Sequence, residues 1–111
     1  MDQVTAHPEA AAELREAIRF YEKRLPGLGR RFFAEISYFI AMILENPDRF
    51  AIRTDGVRRA NLKVFPFNIN YLVESDTIAI IAIANNKRRP NYWKDRMPAT
   101  GKPTNWGPFP S

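Results

Sequence analysis

The chain has 111 residues, 45% of them hydrophobic, which is the length and composition of one packed domain. It contains no cysteine and a single histidine, His7, so disulfides, thiolate metal sites and multi-histidine zinc centres are excluded, and we expect neither a metal nor a cofactor. Its net charge of +5 is uneven, because residues 1–48 carry six basic and eight acidic side chains whereas residues 49–96 carry ten and four.

The first part of the chain predicts a short strand followed by two helices. Residues 3–7 have strand character, Pro8 suits the first turn of a helix, and Pro26-Gly27 ends that helix. A second helix is predicted from about residue 28 to residue 45, because Pro47 disfavours helical backbone in the residue before it. The apolar residues at helical spacing are Ala11, Leu14, Ile18, Tyr21 and Leu25 on the first helix, and Phe32, Ile36, Ile40 and Ile43 on the second. The short turn between the helices predicts an antiparallel hairpin.

Neither the second helix nor the N-terminus indicates a membrane or an export signal. The longest mostly apolar run, residues 36–44, has about half the length that a bilayer span needs. The first residues lack the basic and apolar regions of a signal peptide. We therefore expect a cytoplasmic protein with no membrane association.

After Asp55-Gly56 the apolar period changes from 3.6 to 2, which predicts strands at residues 57–65, 67–74 and 77–84. The third strand is apolar on both faces and should lie centrally in the sheet. A tight turn at Phe65-Pro66 would pair Leu62 with Ile69 and Lys63 with Asn68. The uncovered face would carry Arg59, Asn61, Lys63, Asn68 and Asn70 around Ile81 and Ile83.

The predicted fold class is α+β, with a two-helix antiparallel hairpin packed on a small antiparallel sheet. That sheet consists of the short N-terminal strand and a three-stranded meander. We expect one domain at residues 1–97 and an irregular tail at residues 98–111, because four prolines and two glycines fall within the tail. Trp106 and Phe109 have no predicted docking place.

The acidic residues and the histidine offer little for catalysis. His7 precedes Pro8 and is better explained as a helix cap, and Glu13 as a charge that complements a helix start. Glu35 and Glu45 are isolated in the sequence. Gly27-Leu28-Gly29 lacks the third glycine of a dinucleotide-binding loop and joins two helices.

The remaining chemistry lies in a group of basic residues followed by two aromatic ones. These are Arg58, Arg59, Lys63, Lys87, Arg88 and Arg89, with Tyr92 and Trp93. Arginine and lysine bind phosphate, and an aromatic ring can support a base, so the group suits contact with nucleic acid. The alternative is a solvated basic face whose two aromatic residues cover the end of the core.

Several segments, taken in order, resemble the RelE/ParE toxins of bacterial type II toxin–antitoxin modules over roughly residues 4–97. They are Pro-Gly-Leu-Gly at residues 26–29, Phe-Phe-Ala-Glu-Ile at 32–36, Glu-Asn-Pro at 45–47, Gly-Val-Arg-Arg at 56–59, Phe-Pro-Phe at 65–67 and Arg-Arg-Pro-Asn-Tyr-Trp-Lys-Asp-Arg at 88–96. The family fold, a helical hairpin on an antiparallel sheet, agrees with the periodicity.

The resemblance implies a growth-inhibiting toxin of the plasmid-stabilisation type, held in a heteromeric complex by a cognate antitoxin. The Pro-Gly-Leu-Gly turn and the Tyr-Trp-Lys-Asp-Arg ending are closer to the ParE branch, whose members poison DNA gyrase. RelE members instead cleave mRNA on the ribosome, and many of them have a histidine where this chain has Asn85. A ribonuclease would then depend on Arg59, Lys63, Arg88 and Tyr92. A non-toxic nucleic-acid-binding domain is the third possibility.

Two surfaces are expected to bind partners. Target contacts are predicted at Arg58, Arg59, Lys63, Arg88, Arg89 and Tyr92. The second helix is apolar almost all round, so the side chains predicted to face outward and bind the antitoxin are Phe33, Tyr38, Phe39 and Met42. The alternative is that the first helix and the N-terminal strand cover these side chains.

Overall fold

The computed structural model describes residues 3–110, which form two helices and a six-stranded sheet. In chain order the elements are β1 (Gln3–Ala6), α1 (Pro8–Arg24), α2 (Leu28–Glu45), β2 (Ile52–Thr54), β3 (Val57–Asn61), β4 (Phe67–Val73), β5 (Thr77–Asn85), a 3₁₀ turn (Lys94–Arg96) and β6 (Gly107–Pro108). The helices pack on one face of the sheet, so the predicted α+β class is confirmed. No helix within residues 3–110 is long and apolar enough to cross a membrane.

The sheet has the strand order β2-β3-β4-β5-β1-β6 and is mixed. The meander β3-β4-β5 is antiparallel as predicted, and β5 occupies an inner position. β1 pairs with β5 in parallel, from Gln3 opposite Thr77 to Ala6 opposite Ile80. β2 and β6 add antiparallel edge strands that the periodicity does not indicate, because each has only two or three residues.

Both helices begin and end where the sequence predicts. The His7 Nδ1 atom accepts a hydrogen bond of 3.0 Å from the Glu9 N–H, which makes His7 the N-cap of α1. Gly27 has a φ of +91° in the turn between the helices. At Gly29, a Cβ atom would lie 2.6 Å from the Ile18 carbonyl oxygen. The turn and the close approach of the helices therefore both require glycine.

The helices bury one stripe each. Phe32, Ile36, Ile40 and Ile43 of α2 are all buried, as predicted. Leu25 was predicted on the buried stripe of α1, but it is 54% exposed because the chain has already left the helix there. Phe39 was predicted to face outward, but it is only 3% exposed because it packs against the core and against Phe50.

The β3–β4 hairpin has a different register from the predicted one. Ala60 lies opposite Ile69 and Asn61 opposite Asn68, so the predicted pairing was wrong by two residues. β3 ends at Asn61, and the loop that follows is held by the Glu35 carboxylate on α2. Glu35 accepts hydrogen bonds of 2.9, 3.0 and 3.2 Å from three successive loop N–H groups, those of Lys63, Val64 and Phe65. Glu35 is therefore not isolated, and the turn is not tight.

A bulge in β5 changes which side chains face the helices. Asn70 lies opposite Ala82 and Tyr71 opposite Ile80, so Ile81 has no partner in the register. Ile83 consequently joins the core under the helices, contrary to the prediction that it lies on the uncovered face. Ile81 packs on that other face with Val57 and Trp93.

The C-terminal segment folds back onto the sheet. β6 pairs with β1, and the Phe109 N–H donates to the Val4 carbonyl at 3.0 Å. The Trp106 ring packs edge-on against the His7 ring with centroids 5.1 Å apart. Thr104 donates to the Glu74 carboxylate from both its hydroxyl and its N–H. These contacts give Trp106 and Phe109 the docking place that the sequence does not predict.

Candidate functional site

A groove of about 430 Å³ lies on the face of the sheet that the helices leave uncovered. Its lining residues are four arginines (Arg53, Arg59, Arg88, Arg89), six asparagines (Asn61, Asn68, Asn70, Asn85, Asn86, Asn91), and Thr54, Ala84, Pro90, Tyr92 and Trp93. None of them is acidic. We call this feature the basic groove.

Four of the six predicted target contacts meet in the basic groove, namely Arg59, Arg88, Arg89 and Tyr92. The other two lie elsewhere. Arg58 alternates with Arg59 along β3, and its guanidinium donates to the Phe50 carbonyl at 2.7 Å and pairs with Asp48 at 3.2 Å.

Lys63 lies in the loop held by Glu35, because β3 ends two residues before it. It therefore does not share a strand face with Arg59. Arg53, by contrast, lines the groove although no pattern in the sequence around it indicates this. The two-residue register difference and the short strand β2 account for both misses.

The floor of the groove is a directed chain of asparagine amides. Asn70 donates to Asn68 at 2.7 Å, and Asn68 donates to Asn86 at 2.8 Å. Asn68 and Asn70 are buried at 6% and 4% exposure, so these bonds satisfy polar groups that would otherwise be costly to bury. Their regular spacing of two residues in β4 is the sequence signal for this ladder.

Arg59 carries a buried polar atom, its Nε, with no hydrogen-bond partner among the described residues. Burial lowers the pKa of Arg59, and the nearby positive charge of Arg53 lowers it further. The two guanidinium groups therefore lie in a site that an anion would stabilise.

Glu13, a residue of α1, holds in place the side of the groove that carries Tyr92. Its carboxylate accepts two hydrogen bonds of 2.9 Å from Arg96 and one of 2.6 Å from the Tyr92 hydroxyl. The side chains of Glu13 and Arg96 are only 15% and 13% exposed. The prediction that Glu13 is simply a helix-start charge was wrong, because its partners lie about 80 residues away and have no local sequence signal.

The ion pair of Glu13 and Arg96 also forms hydrogen bonds with the backbone of β5, beyond the last residue of β5 that pairs with β1. The register of β1 stops at Ala6 opposite Ile80. Further along β5, the Ile83 N–H donates to Glu13 at 3.0 Å, and the Ile81 carbonyl accepts from Arg96 at 3.0 Å. Two side chains thus bind backbone groups that a neighbouring strand would otherwise bind.

Tyr92 is held between Glu13 and Arg88. The Arg88 guanidinium lies 3.8 Å from the centre of the Tyr92 ring. Burial raises the pKa of Tyr92, and its hydrogen bond to Glu13 raises it further, so the hydroxyl keeps its proton at neutral pH. Trp93 is 4% exposed and belongs to the core on this face of the sheet.

Two polar side chains of the groove, Asn85 and Tyr92, already have hydrogen-bond partners within the protein. Asn85 cannot exchange a proton near neutral pH, and its side-chain oxygen accepts the Lys87 N–H at 2.9 Å. The Tyr92 hydroxyl donates its proton in a hydrogen bond to Glu13. Within the described residues there is also no group of three or more histidine, cysteine, aspartate or glutamate side chains that could hold a metal ion.

The outer face of α2 offers one large exposed apolar side chain, Tyr38, at 61% exposure. Phe33 and Met42 are only partly buried and pack against the core. Three of the four predicted antitoxin contacts therefore reach the surface of α2 at least in part. Phe39 does not, because it belongs to the core.

Comparison with known proteins shows which family the chain matches. The model of the family described as "ParE toxin of type II toxin-antitoxin system, parDE" matches residues 4–90. A solved structure titled "Chromosomal ParDE TA system from P. aeruginosa" is similar in fold, with a TM-score of 0.65 and 21% identity, covering 75% of this chain and 94% of the other. Comparison with curated proteins gives no match.

Proposed function

The chain belongs to the ParE toxins of type II toxin–antitoxin systems, and from this membership we propose that it inhibits bacterial growth by poisoning DNA gyrase in the cytoplasm. In this proposal the basic groove contacts the gyrase–DNA target through Arg59, Arg88, Arg89 and Tyr92. A poison has to bind and hold its target, and it needs no acid–base chemistry of its own. The proposed role therefore agrees with a groove rich in hydrogen-bond donors.

The hydrogen bond from Tyr92 to Glu13 is the observation that carries this choice between the two family activities. RNA cleavage needs a group that moves a proton, and Tyr92 is the titratable groove side chain best suited to that role. Its hydroxyl proton is held by Glu13 at 2.6 Å, and its pKa is raised.

Cleavage of ribosome-bound mRNA is the second candidate, and the four groove arginines favour it. Guanidinium groups can stabilise the charge that develops on a phosphate during cleavage, even where no base is present. The two candidates predict different damage in the cell, which makes them separable.

The test is expression of the full chain in a bacterium that lacks the antitoxin. We expect growth arrest, induction of the SOS response and gyrase–DNA cleavage complexes that can be trapped and counted. Arrest with mRNA breaks and intact chromosomes would contradict gyrase poisoning in favour of mRNA cleavage. Normal growth at confirmed folded expression would contradict both and favour a non-toxic binding domain.

The double variant Arg59→Ala, Arg88→Ala tests the groove in the same assay. Arg88 is exposed, and the buried Nε of the partly exposed Arg59 has no hydrogen-bond partner among the described residues, so the free energy of unfolding should change by less than about 1 kcal/mol while the arrest is lost. The matched control is Arg30→Ala, Arg31→Ala, which removes the same charge from exposed positions on α2. If the groove variant is as toxic as the control, the target surface lies elsewhere.

We further propose that a cognate antitoxin binds the outer face of α2 around Tyr38, Phe33 and Met42. The net charge of +5 favours an acidic partner segment, and an exposed aromatic side chain on a helix favours an apolar contact within it. Binding there would hold the toxin in a heteromeric, inactive complex.

A further inference from the structure

We propose that the basic groove binds the phosphodiester backbone of a nucleic-acid strand, so that the protein contacts the DNA of its target directly. This inference rests on the proposed function and adds the chemical class of the ligand that the groove takes.

The groove presents many more hydrogen-bond donors than acceptors, because its four arginines have no acceptor atom and none of its lining residues is acidic. The amide chain runs in one direction, from Asn70 through Asn68 to Asn86, and leaves the exposed Asn86 amide nitrogen without a partner among the described residues. Arg59 has its buried Nε unpaired, and Arg53 and Arg89 make no salt bridge within the part of the chain described. This excess of donors and positive charge favours a ligand that brings acceptors and negative charge, as phosphate oxygens do.

The arginines lie on both sides of the groove, which calls for an extended polyanion rather than a single ion. Arg59 is on β3, and Arg88 and Arg89 follow β5, two strands away. Neighbouring strands are about 4.8 Å apart, so the two walls are separated by roughly 10 Å. The floor between them carries the neutral amides of Asn68 and Asn70, which are buried and hydrogen-bonded within the amide chain, so the positive charge lies only along the two sides.

The two aromatic residues of the groove are poorly placed to stack on a base. Arg88 covers the Tyr92 ring at 3.8 Å, and Trp93 is 4% exposed. Most proteins that bind single strands depend on such stacking platforms. Binding in this groove should therefore come from the backbone phosphates, with a strong dependence on salt and little dependence on sequence.

The experiment measures binding of the full chain to short fluorescent oligonucleotides by anisotropy, between about 50 and 200 mM salt. The probes are single-stranded DNA, duplex DNA, single-stranded RNA and a poly-glutamate peptide of similar charge. We expect nucleic acid to bind with a slope of log K against log salt of about −3, as four contacts to a single strand would give. Changing the base sequence should alter the affinity by less than about twofold.

The variants locate the binding. Arg59→Ala, Arg88→Ala should weaken it by at least about tenfold and reduce the salt slope by about half, because two of the four phosphate contacts are removed. Arg30→Ala, Arg31→Ala should change it by less than about twofold. No binding to any nucleic acid, equal losses in the two double variants, or equally tight binding of poly-glutamate would each overturn the inference.

The same experiment separates the ligand sources and keeps the inference distinct from gyrase poisoning. Tighter binding to DNA than to RNA identifies the DNA of the gyrase complex as the source of the phosphates, and the reverse order identifies mRNA. Trapped gyrase complexes in a parallel assay, without affinity for any oligonucleotide, would overturn the inference and leave gyrase poisoning intact. Affinity without trapped complexes would support the inference and contradict gyrase poisoning.

Discussion

Glu13 joins three parts of the molecule with one carboxylate, since it binds the edge of β5, the Tyr92 hydroxyl and the Arg96 guanidinium. A buried ion pair of this kind contributes little net free energy over an apolar pair, yet removal of one partner is costly because the other charge stays buried. Burial lowers the pKa of Arg96, but the hydrogen bond and charge of Glu13 outweigh this and raise it overall, which agrees with a strongly coupled pair.

Glu13→Ala should therefore lower the free energy of unfolding by about 3–5 kcal/mol, measured by urea denaturation. Glu16→Ala, one turn further along α1 and exposed, is the control and should change it by less than about 0.5 kcal/mol. The double variant Glu13→Ala, Arg96→Ala should lose less free energy of unfolding than the two single variants lose together. Equal effects of the Glu13 and Glu16 substitutions would contradict this role for Glu13.

His7 gives the stability a small dependence on pH. Burial lowers the pKa of His7 from 6.5, and the charge of Arg96 lowers it further, so the folded state favours the neutral ring. The neutral Nδ1 accepts the Glu9 N–H, whereas a protonated ring cannot accept it. The cap therefore contributes fully above pH 6.5, and its contribution is lost as the pH falls through the lower pKa of the folded state.

We expect the free energy of unfolding to fall by about 1 kcal/mol more in the parent than in His7→Asn when the pH is lowered from neutral to mildly acidic. Asparagine caps a helix without titrating, so the variant provides the baseline. Chemical denaturation at each pH measures the difference. Parallel curves for the two proteins would show that His7 does not titrate in this way.

At the scale of elements, the helices were predictable and the hairpin register was not. Proline and glycine mark the ends of α1 and α2 within a few residues of those ends, so local sequence is sufficient. The β3–β4 loop depends instead on Glu35, which lies 28 residues before the first N–H it accepts. Likewise, the bulge at Ile81 inverts the face on which Ile83 lies, and a strict period of two cannot reveal it.

The outer face of α2 is the element on which the proposed antitoxin contact can be tested. Tyr38→Glu places a negative charge at a position that is 61% exposed, so the fold should be retained while affinity for an acidic antitoxin falls by at least about tenfold. The matched control is Val64→Glu, because Val64 is 71% exposed and lies in the loop after β3. Unchanged binding of the folded Tyr38 variant, measured by calorimetry, would place the antitoxin elsewhere.

At the scale of the whole molecule, the basic groove is a product of distant segments. The basic run at residues 87–89 and the polar alternation of β4 predicted a positive sheet face, and Arg59, Arg88, Arg89 and Tyr92 do meet there. The sequence did not predict that Arg53, on a three-residue strand, lines the groove. It also did not predict that Lys63 lies outside the groove, which follows from the register of β3 and β4. Those features depend on pairings that no local pattern specifies.

The long reach of Glu13 also bears on how the protein is made. Glu13 lies 83 residues before Arg96 and 79 before Tyr92, so during translation its carboxylate cannot form these bonds until nearly the whole domain has left the ribosome. The segment of residues 88–96 cannot bind Glu13 before then. A nascent chain, or one cut short before Tyr92, would lack the assembled groove. Any activity that depends on the assembled groove would therefore begin only after synthesis has passed this point.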